Sequence, residues 1–232
     1  MDKKEKIRNA YRELGGDRTF YDGMITCSTI PGKMVCRLVW GMGREDCLEY
    51  LSQALSGIPE GFKGKLLEVP VGTGVLTMPF YRELPEAKIH CLDYSEEMLQ
   101  RAKARGAELD NVHFLQGDVG ALPFEDNSFD LVVSLNGFHA FPDKEAAWKE
   151  IYRVLKPGGT FCGCFYVQGE NGRTDRFIRK LYEPKGFFTP PFDTVQSLNE
   201  CLQKMYGQVR VNTVQSIATF CCQKKKDGIS PI

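Results

Sequence analysis

The chain has 232 residues, 42% of them hydrophobic and 26% charged, which is the balance of a folded globular protein and excludes a disordered or fibrous class. Thirty Lys and Arg cancel thirty Asp and Glu, which removes the simple electrostatic case for a nucleic-acid partner, because such binding leans on excess positive charge. No run approaches the roughly 18 apolar residues needed to cross a bilayer, so no transmembrane segment is expected.

Residues 1–60 read as a helical cover. The opening MDKKEKIRNAYREL is charged and helix-forming and lacks the apolar segment of a secretory leader, so a cytoplasmic location is the expectation. A Gly/Pro-containing stretch, STIPGK, interrupts the cover. From residue 61 to 167 strand and helix signals alternate. Residues 65–69 (KLLEV) form a short apolar strand that ends at a Pro/Gly-rich turn. Leu76, Phe80 and Leu84 at four-residue spacing predict a helix over 75–84, although Pro79 inside it predicts a late start or a kink. A second strand follows at 88–92. Ser95 is placed to cap a helix through Arg105, with Glu96 and Glu97 in its first turn. Residues 112–116 and 129–135 are a third and fourth strand. Residues 143–155 form an amphipathic helix with Ala147, Ile151, Val154 and Leu155 on one face, stopped by Lys156-Pro157-Gly158-Gly159. A fifth strand is predicted over 160–167.

Such alternation implies a doubly wound α/β sheet with parallel strands. Residues 168–207 read as a polar loop (QGENGRTD), then a helix near 194–206, and their EPKGFFTPPF segment as a loop over the strand ends. Residues 208–213 and 216–223 read as a hairpin that finishes the sheet with an antiparallel strand. The expected fold is thus a seven-stranded, mostly parallel sheet under a helical N-terminal cover. The flanks are too small to fold alone, so one domain is expected. The Lys224-Lys225-Lys226 run reads as a solvated tail.

Nine cysteines include no C-x-x-C pair, and the three histidines, His90, His113 and His139, do not accompany cysteines at zinc-ligand spacing. Reduced thiols and no metal site are the expectation. His90 and His113 fall on strands and read as structural.

Three spaced features carry chemistry. The first strand ends in Glu68-Val69-Pro70-Val71-Gly72-Thr73-Gly74, and a Gly-rich turn at this place lets backbone approach a ligand near a helix N-terminus. Asp93, at the end of the second strand, can accept both hydroxyl hydrogens of a ribose. Because Ser95 competes for the helix cap, Asp93 is available for that role. After the third strand, Gly117-Asp118-Val119 presents a carboxylate and a backbone N–H to an adenine edge.

The run QGDVGALPFEDNSFDLVVS, followed by DKEAAWKEIYRVLKPGGTF, resembles the class I S-adenosylmethionine-dependent methyltransferases, most nearly the ubiquinone and menaquinone C-methyltransferase subgroup. Over residues 65–167 the resemblance is close. At the N-terminus it rests on Tyr21-Asp22 and Trp40. It implies S-adenosylmethionine as cofactor and a set of roles. Glu68, Val69, Pro70, Gly72 and Gly74 would lie under the methionine and ribose, and Asp93 would hold the ribose. Tyr94 and Met98 would border the adenine, with Asp118 and Val119 reading its edge. Ser134, Leu135 and Asn136 would line the methionine side, and Tyr21 would close over the cofactor. The chain departs from the family at Pro70, which replaces the first glycine of the acid-x-Gly-x-Gly-x-Gly loop and has no N–H to donate. It also has His139-Ala140 where the quinone enzymes carry an Arg-Asn pair.

Methyl transfer from a sulfonium is an in-line displacement in which the protein mainly positions the nucleophile, worth roughly 7–11 kcal/mol. A hydroxyl or acidic carbon also needs a base. His139, between Phe138 and Phe141, and Tyr21 are the two candidates. Tyr11, Phe20, Tyr21, Trp40, Phe165, Tyr166, Phe177, Tyr182, Phe187, Phe188 and Phe192 in the flanks either line a pocket for a small apolar or aromatic acceptor or pack the flanks on the sheet. Two other functions fit part of the pattern. One is a non-catalytic module that binds the same cofactor. The other is an NAD-type oxidoreductase, which Asp93 also suits.

Overall fold

The computed structural model describes residues 20–226, so the charged run at 1–14, with Tyr11, lies outside the described residues. The cover comprises α1 (Phe20–Ile25), α2 (Ile30–Val35), a π-helical turn over Cys36–Trp40 and α3 (Arg44–Leu55). Thr29 caps α2 by accepting from the Gly32 N–H at 3.2 Å, with Pro31 in the first turn. Proline is tolerated there because the first-turn N–H groups have no helical partner.

The core then runs β1 (Lys65–Glu68), α4 (Met78–Tyr81), β2 (Lys88–Asp93), α5 (Glu96–Arg105), β3 (Val112–Gln116), a 3-10 turn (Val119–Ala121), β4 (Phe129–Leu135), α6 (Lys144–Val154) and β5 (Leu155–Tyr166). It continues through α7 (Gly172–Phe177), helical turns over Ile178–Tyr182 and Glu183–Lys185, α8 (Val195–Met205), β6 (Tyr206–Val214) and β7 (Ile217–Lys224). The seven strands form one sheet in the order β3-β2-β1-β4-β5-β7-β6. Neighbouring strands from β3 to β5 are parallel, and β7 runs antiparallel to both β5 and β6. One apolar cluster, including Tyr50, Ala54, Leu66, Tyr81 and Ile89, packs the cover and α5 on one side of the sheet. A second, including Val132, Trp148, Ile151, Phe161, Leu198 and Phe220, packs α6 and α8 on the other. No helix among the described residues is long and apolar enough to cross a membrane.

The structure corrects three local expectations. The helix predicted over 75–84 is only Met78–Tyr81. Pro79 fits its first turn but cannot donate from a helix interior, so the preceding residues stay in the glycine turn. The predicted stop at 156–159 instead lies within β5. Leu155 already pairs with Phe129, and from there to the Leu131–Thr160 pair β4 advances two residues while β5 advances five. The Pro-Gly-Gly segment is therefore a bulge in a strand. Lys224 is not part of a solvated tail. It ends β7, is buried, and donates to Tyr152 O and Leu155 O at 2.7 Å each and to Asn127 Oδ1 at 3.0 Å. Its ammonium also lies 4.5 Å from the Tyr152 ring centroid. Two of these acceptors are carbonyls at the α6–β5 junction, which the helix itself cannot satisfy.

Lys224→Met is expected to lower the unfolding free energy in urea by about 2–3 kcal/mol, because buried carbonyls lose a charged donor. Lys225→Met, at an exposed position, should change it by less than about 0.5 kcal/mol.

Candidate functional site

In an open parallel sheet, ligands bind beyond the carboxyl ends of the strands where the strand order reverses. Here that point lies between β1 and β4, and a cleft partly open to solvent sits there. Residues 68–77 after β1, 92–95 after β2, 117–119 after β3 and 135–136 after β4 line it, with 140–142 on one side and Tyr21 and Ile25 from α1 above.

The loop after β1 is held from three directions. The Val69 N–H donates to Val133 O and the Val71 N–H to Leu92 O, each at 3.0 Å. The Gly72 N–H donates to Asp93 Oδ2 at 2.7 Å. Pro70 interrupts this series, but the donors on either side fix the turn without it. Its ring packs where a Cβ on Gly137 would otherwise stand, so the glycine after Asn136 makes room for the proline. Gly72 and Gly74 have φ of 56° and 69°, values that residues with a Cβ seldom adopt.

Asp93 accepts through both oxygens, from Gly72 as above and from the Ser95 N–H at 2.9 Å. Burial pushes its carboxyl up to about 6, against the lowering effect of these backbone donors. Glu68, also buried, accepts from Tyr81 Oη at 3.0 Å and from Cys91 Sγ at 3.6 Å. Burial raises its pKa to about 8, so it is largely protonated at neutral pH. Asp118 Oδ1 accepts from the Gly120 N–H at 2.9 Å and so shapes the 3-10 turn that brings Val119 to the cleft.

Asp22 ties the cover to this floor. Its Oδ1 accepts from Thr73 Oγ1 at 2.7 Å, and its Oδ2 pairs with Arg101 and Arg105 at 2.9 Å each. Arg105 also donates to Thr73 O. The two arginines are four residues apart on α5 and so share a face. Deeper in, Tyr50 of α3 hydrogen-bonds to the Asn136 side chain.

Residues 66–159 match the family model of a methyltransferase domain. A demethylmenaquinone methyltransferase of Staphylococcus aureus is 42% identical over 104 residues, which are 44% of this chain and 42% of the relative. The chain therefore spans less than half the length of the curated relatives it matches. A solved structure from Thermotoga maritima, titled a possible histamine N-methyltransferase, has a TM-score of 0.61 at 21% identity over 90% of this chain and all of that one. A Haemonchus contortus phosphoethanolamine N-methyltransferase solved with S-adenosylhomocysteine has a TM-score of 0.67 at 18% identity, over 93% of this chain and 60% of that one.

Over residues 66–159 the chain is similar to methyltransferase domains, and that likeness supports a class I S-adenosylmethionine-dependent methyltransferase.

The cleft gathers Tyr21, Glu68, Val69, Pro70, Gly72, Gly74, Asp93, Tyr94, Met98, Asp118, Val119, Leu135 and Asn136, all singled out from the sequence. Two expected members lie elsewhere. Ser134 is fully buried in β4 and does not line the cleft, because alternation along the strand turns it away from the end. His139 is buried outside the cleft, its ring stacked on Phe188 at 4.0 Å. The Tyr166 N–H points to its Nδ1 at 3.3 Å. That bond assigns the ring proton to Nε2, leaving neither nitrogen with the open lone pair a base needs. Burial also lowers its pKa to about 3. His139 is thus corrected from candidate base to packing residue. The flank aromatics follow it: Trp40, Tyr166, Tyr182 and Phe188 pack on one another at centroid distances from 5.4 to 6.2 Å rather than line the cleft. The sequence reading missed Ile25, Phe141 and Pro142 as lining residues and the Arg101–Arg105 clamp. The arginine spacing on one helical face was the available signal for the clamp.

Two outcomes follow. Glu68 binds a proton more tightly folded than unfolded, so its contribution to stability is present at low pH. It declines as pH rises from the unfolded value of 4.5 through about 8. Glu68→Gln, which keeps the acceptor and cannot ionise, should flatten that fall by on the order of a few kcal/mol, read by urea denaturation at pH 5, 6.5 and 8. Asp22→Asn should speed amide exchange across residues 20–25 while leaving β1 and β4 protected, because two buried-edge ion pairs weaken and the sheet does not depend on them.

Proposed function

We propose that this chain binds S-adenosylmethionine in the β1–β4 cleft and transfers its methyl group to a small, apolar or aromatic acceptor. The observation that carries the reading is Asp93, a buried carboxylate at the end of β2, held against the glycine turn. A ribose offers two hydroxyl donors, and a fixed carboxylate beside an exposed-backbone turn is the complement of that group. The donor set fits the rest of the molecule. Tyr94, Met98 and Val119 supply apolar walls for a flat purine, and Asp118 stands at their edge to accept from an exocyclic amine. Glu68, Gly72, Gly74, Leu135 and Asn136 would surround the amino-acid end, with a neutral Glu68 able to donate as well as accept.

When bound, the cofactor supplies a methyl carbon activated by the adjacent sulfonium. What the chain's residues do is orientation and exclusion of water. Tyr21 and Ile25 cover the cleft from α1, and Leu135, Ala140, Phe141 and Pro142 form an apolar wall. That wall supports an acceptor with little charge. Because His139 is engaged in packing, Tyr21 is the ionisable side chain proposed to contact the acceptor. A nucleophile that ionises or is neutral near ambient pH suits such a site. The demethylmenaquinone name of the Staphylococcus relative agrees with an apolar ring acceptor.

Calorimetry with S-adenosylhomocysteine tests the placement. Asp93→Ala should weaken binding at least tenfold (~1.4 kcal/mol). A loss under threefold would put the cofactor elsewhere. Turnover over a panel of quinols, phenols, thiols and amines then separates an enzyme from a module that binds the cofactor without reaction. Binding without turnover on every class would favour the module.

A further inference from the structure

Three cysteines that are 9 and 11 residues apart in sequence, Cys27, Cys36 and Cys47, meet in the cover. All are buried, and their sulfurs lie within 4.8 Å of one another. Each comes from a different element. Cys27 is in the turn after α1, Cys36 opens the π-helical turn, and Cys47 is on α3. We propose that these thiols form a three-coordinate site for the soft d10 cation Cu(I) that staples the cover together.

The chemistry of the donor set supports this. Thiolates are the ligands that soft cations prefer over oxygen donors. A metal–sulfur bond of about 2.3 Å sets three sulfurs about 4 Å apart around one ion, which falls within the present compass of the cluster. Cys27 and Cys47 now stand 2.6 Å apart, so that pair opens on binding. Cys27 has φ of 50°, a left-handed conformation that is costly for a residue with a Cβ and that tends to persist where the surroundings demand it. Here it turns a thiol into a buried cluster.

The balance is simple. Three S–H protons pass to solvent, three sulfur–metal bonds form, and no electrons are exchanged. The proposal does not depend on what the cleft binds, since the cluster is a separate feature of the cover.

The test uses the full chain, purified reduced and without oxygen. Titration with Cd(II) as a spectroscopic probe should give a thiolate-to-metal charge-transfer band that saturates at one ion per chain, and Cu(I) should displace the probe. Alkylation of the native protein followed by mass spectrometry should find Cys27, Cys36 and Cys47 protected by the ion. The remaining six cysteines should be unaffected. Cys36→Ser should cost at least about tenfold in affinity, the lower bound for losing even an outer-shell partner. It should also abolish the rise in melting temperature that the ion gives the wild-type chain. Absence of saturable binding, protection of other cysteines instead, or a Cys27–Cys47 disulfide in the anaerobic protein would each overturn the proposal. The alkylation pattern needs no variant, so poor folding of Cys36→Ser does not leave it untested.

Discussion

The site depends on one buried carboxylate. Asp93 stands at the end of β2 with each oxygen taken by a backbone N–H, one from the glycine turn after β1 and one from the start of α5. That arrangement fixes the distance between the two strand ends that bound the cleft. It also explains why Ser95, and not Asp93, caps the helix: Ser95 Oγ accepts from the Met98 N–H at 3.3 Å. The neighbouring acid on β1 is handled differently. Glu68 has side-chain partners and full burial, and Asp93 has fixed backbone donors. Their pKa values are thereby pushed apart, to about 8 and about 6. Two carboxyls at adjacent strand ends can coexist in a dry place because one of them stays neutral.

The cleft is a joint product of core and cover. The sheet supplies the floor, and α1 supplies Tyr21 and Ile25. What holds α1 in register is the Asp22 contact to Thr73, Arg101 and Arg105, which bridges the cover, the glycine turn and α5. Tyr50 reaches Asn136 from the opposite part of the cover. Asn136 itself has φ of 54°, and its N–H donates to Cys164 O at 2.7 Å, so the turn after β4 is anchored on β5. A cofactor entering this space would touch groups positioned from both layers.

Fold and activity are separate matters here. Structures near 20% identity are similar in fold and carry names that imply amine acceptors, and a shared fold does not select among acceptors. Under the proposed function the walls beyond β4 would face the acceptor, where Phe141 and Pro142 stand and where the chain departs from the quinone pattern at His139 and Ala140. The histidine's stacking on Phe188 gives that departure a structural meaning: it fastens the 183–192 segment, and Lys144 adds a bond to Thr189 O at 2.9 Å.

The sequence alone determined the strand and helix alternation, the position of the hairpin, the glycine turn with Asp93 and the caps at Ser95 and the Gly117-Asp118 edge. These are legible because they depend on local periodicity and on residues a fixed number of positions apart along one βαβ unit. It also marked Pro70 as the anomaly of the turn. Tertiary structure decided everything that depends on residues far apart in the chain. The glycine that accommodates Pro70 is Gly137. The partners of Asp22 are 51, 79 and 83 positions away, at Thr73, Arg101 and Arg105. Lys224 is buried because α6 ends beside β7, which no reading of a Lys run reveals. The cleft aromatics and the packed aromatics have the same composition, and only packing separates Phe141 from Phe188. Cys27, Cys36 and Cys47 follow no ligand spacing, since three separate elements of the cover bring them together. Spacing encodes what one turn or helix presents, whereas proximity across elements is set by how the layers close.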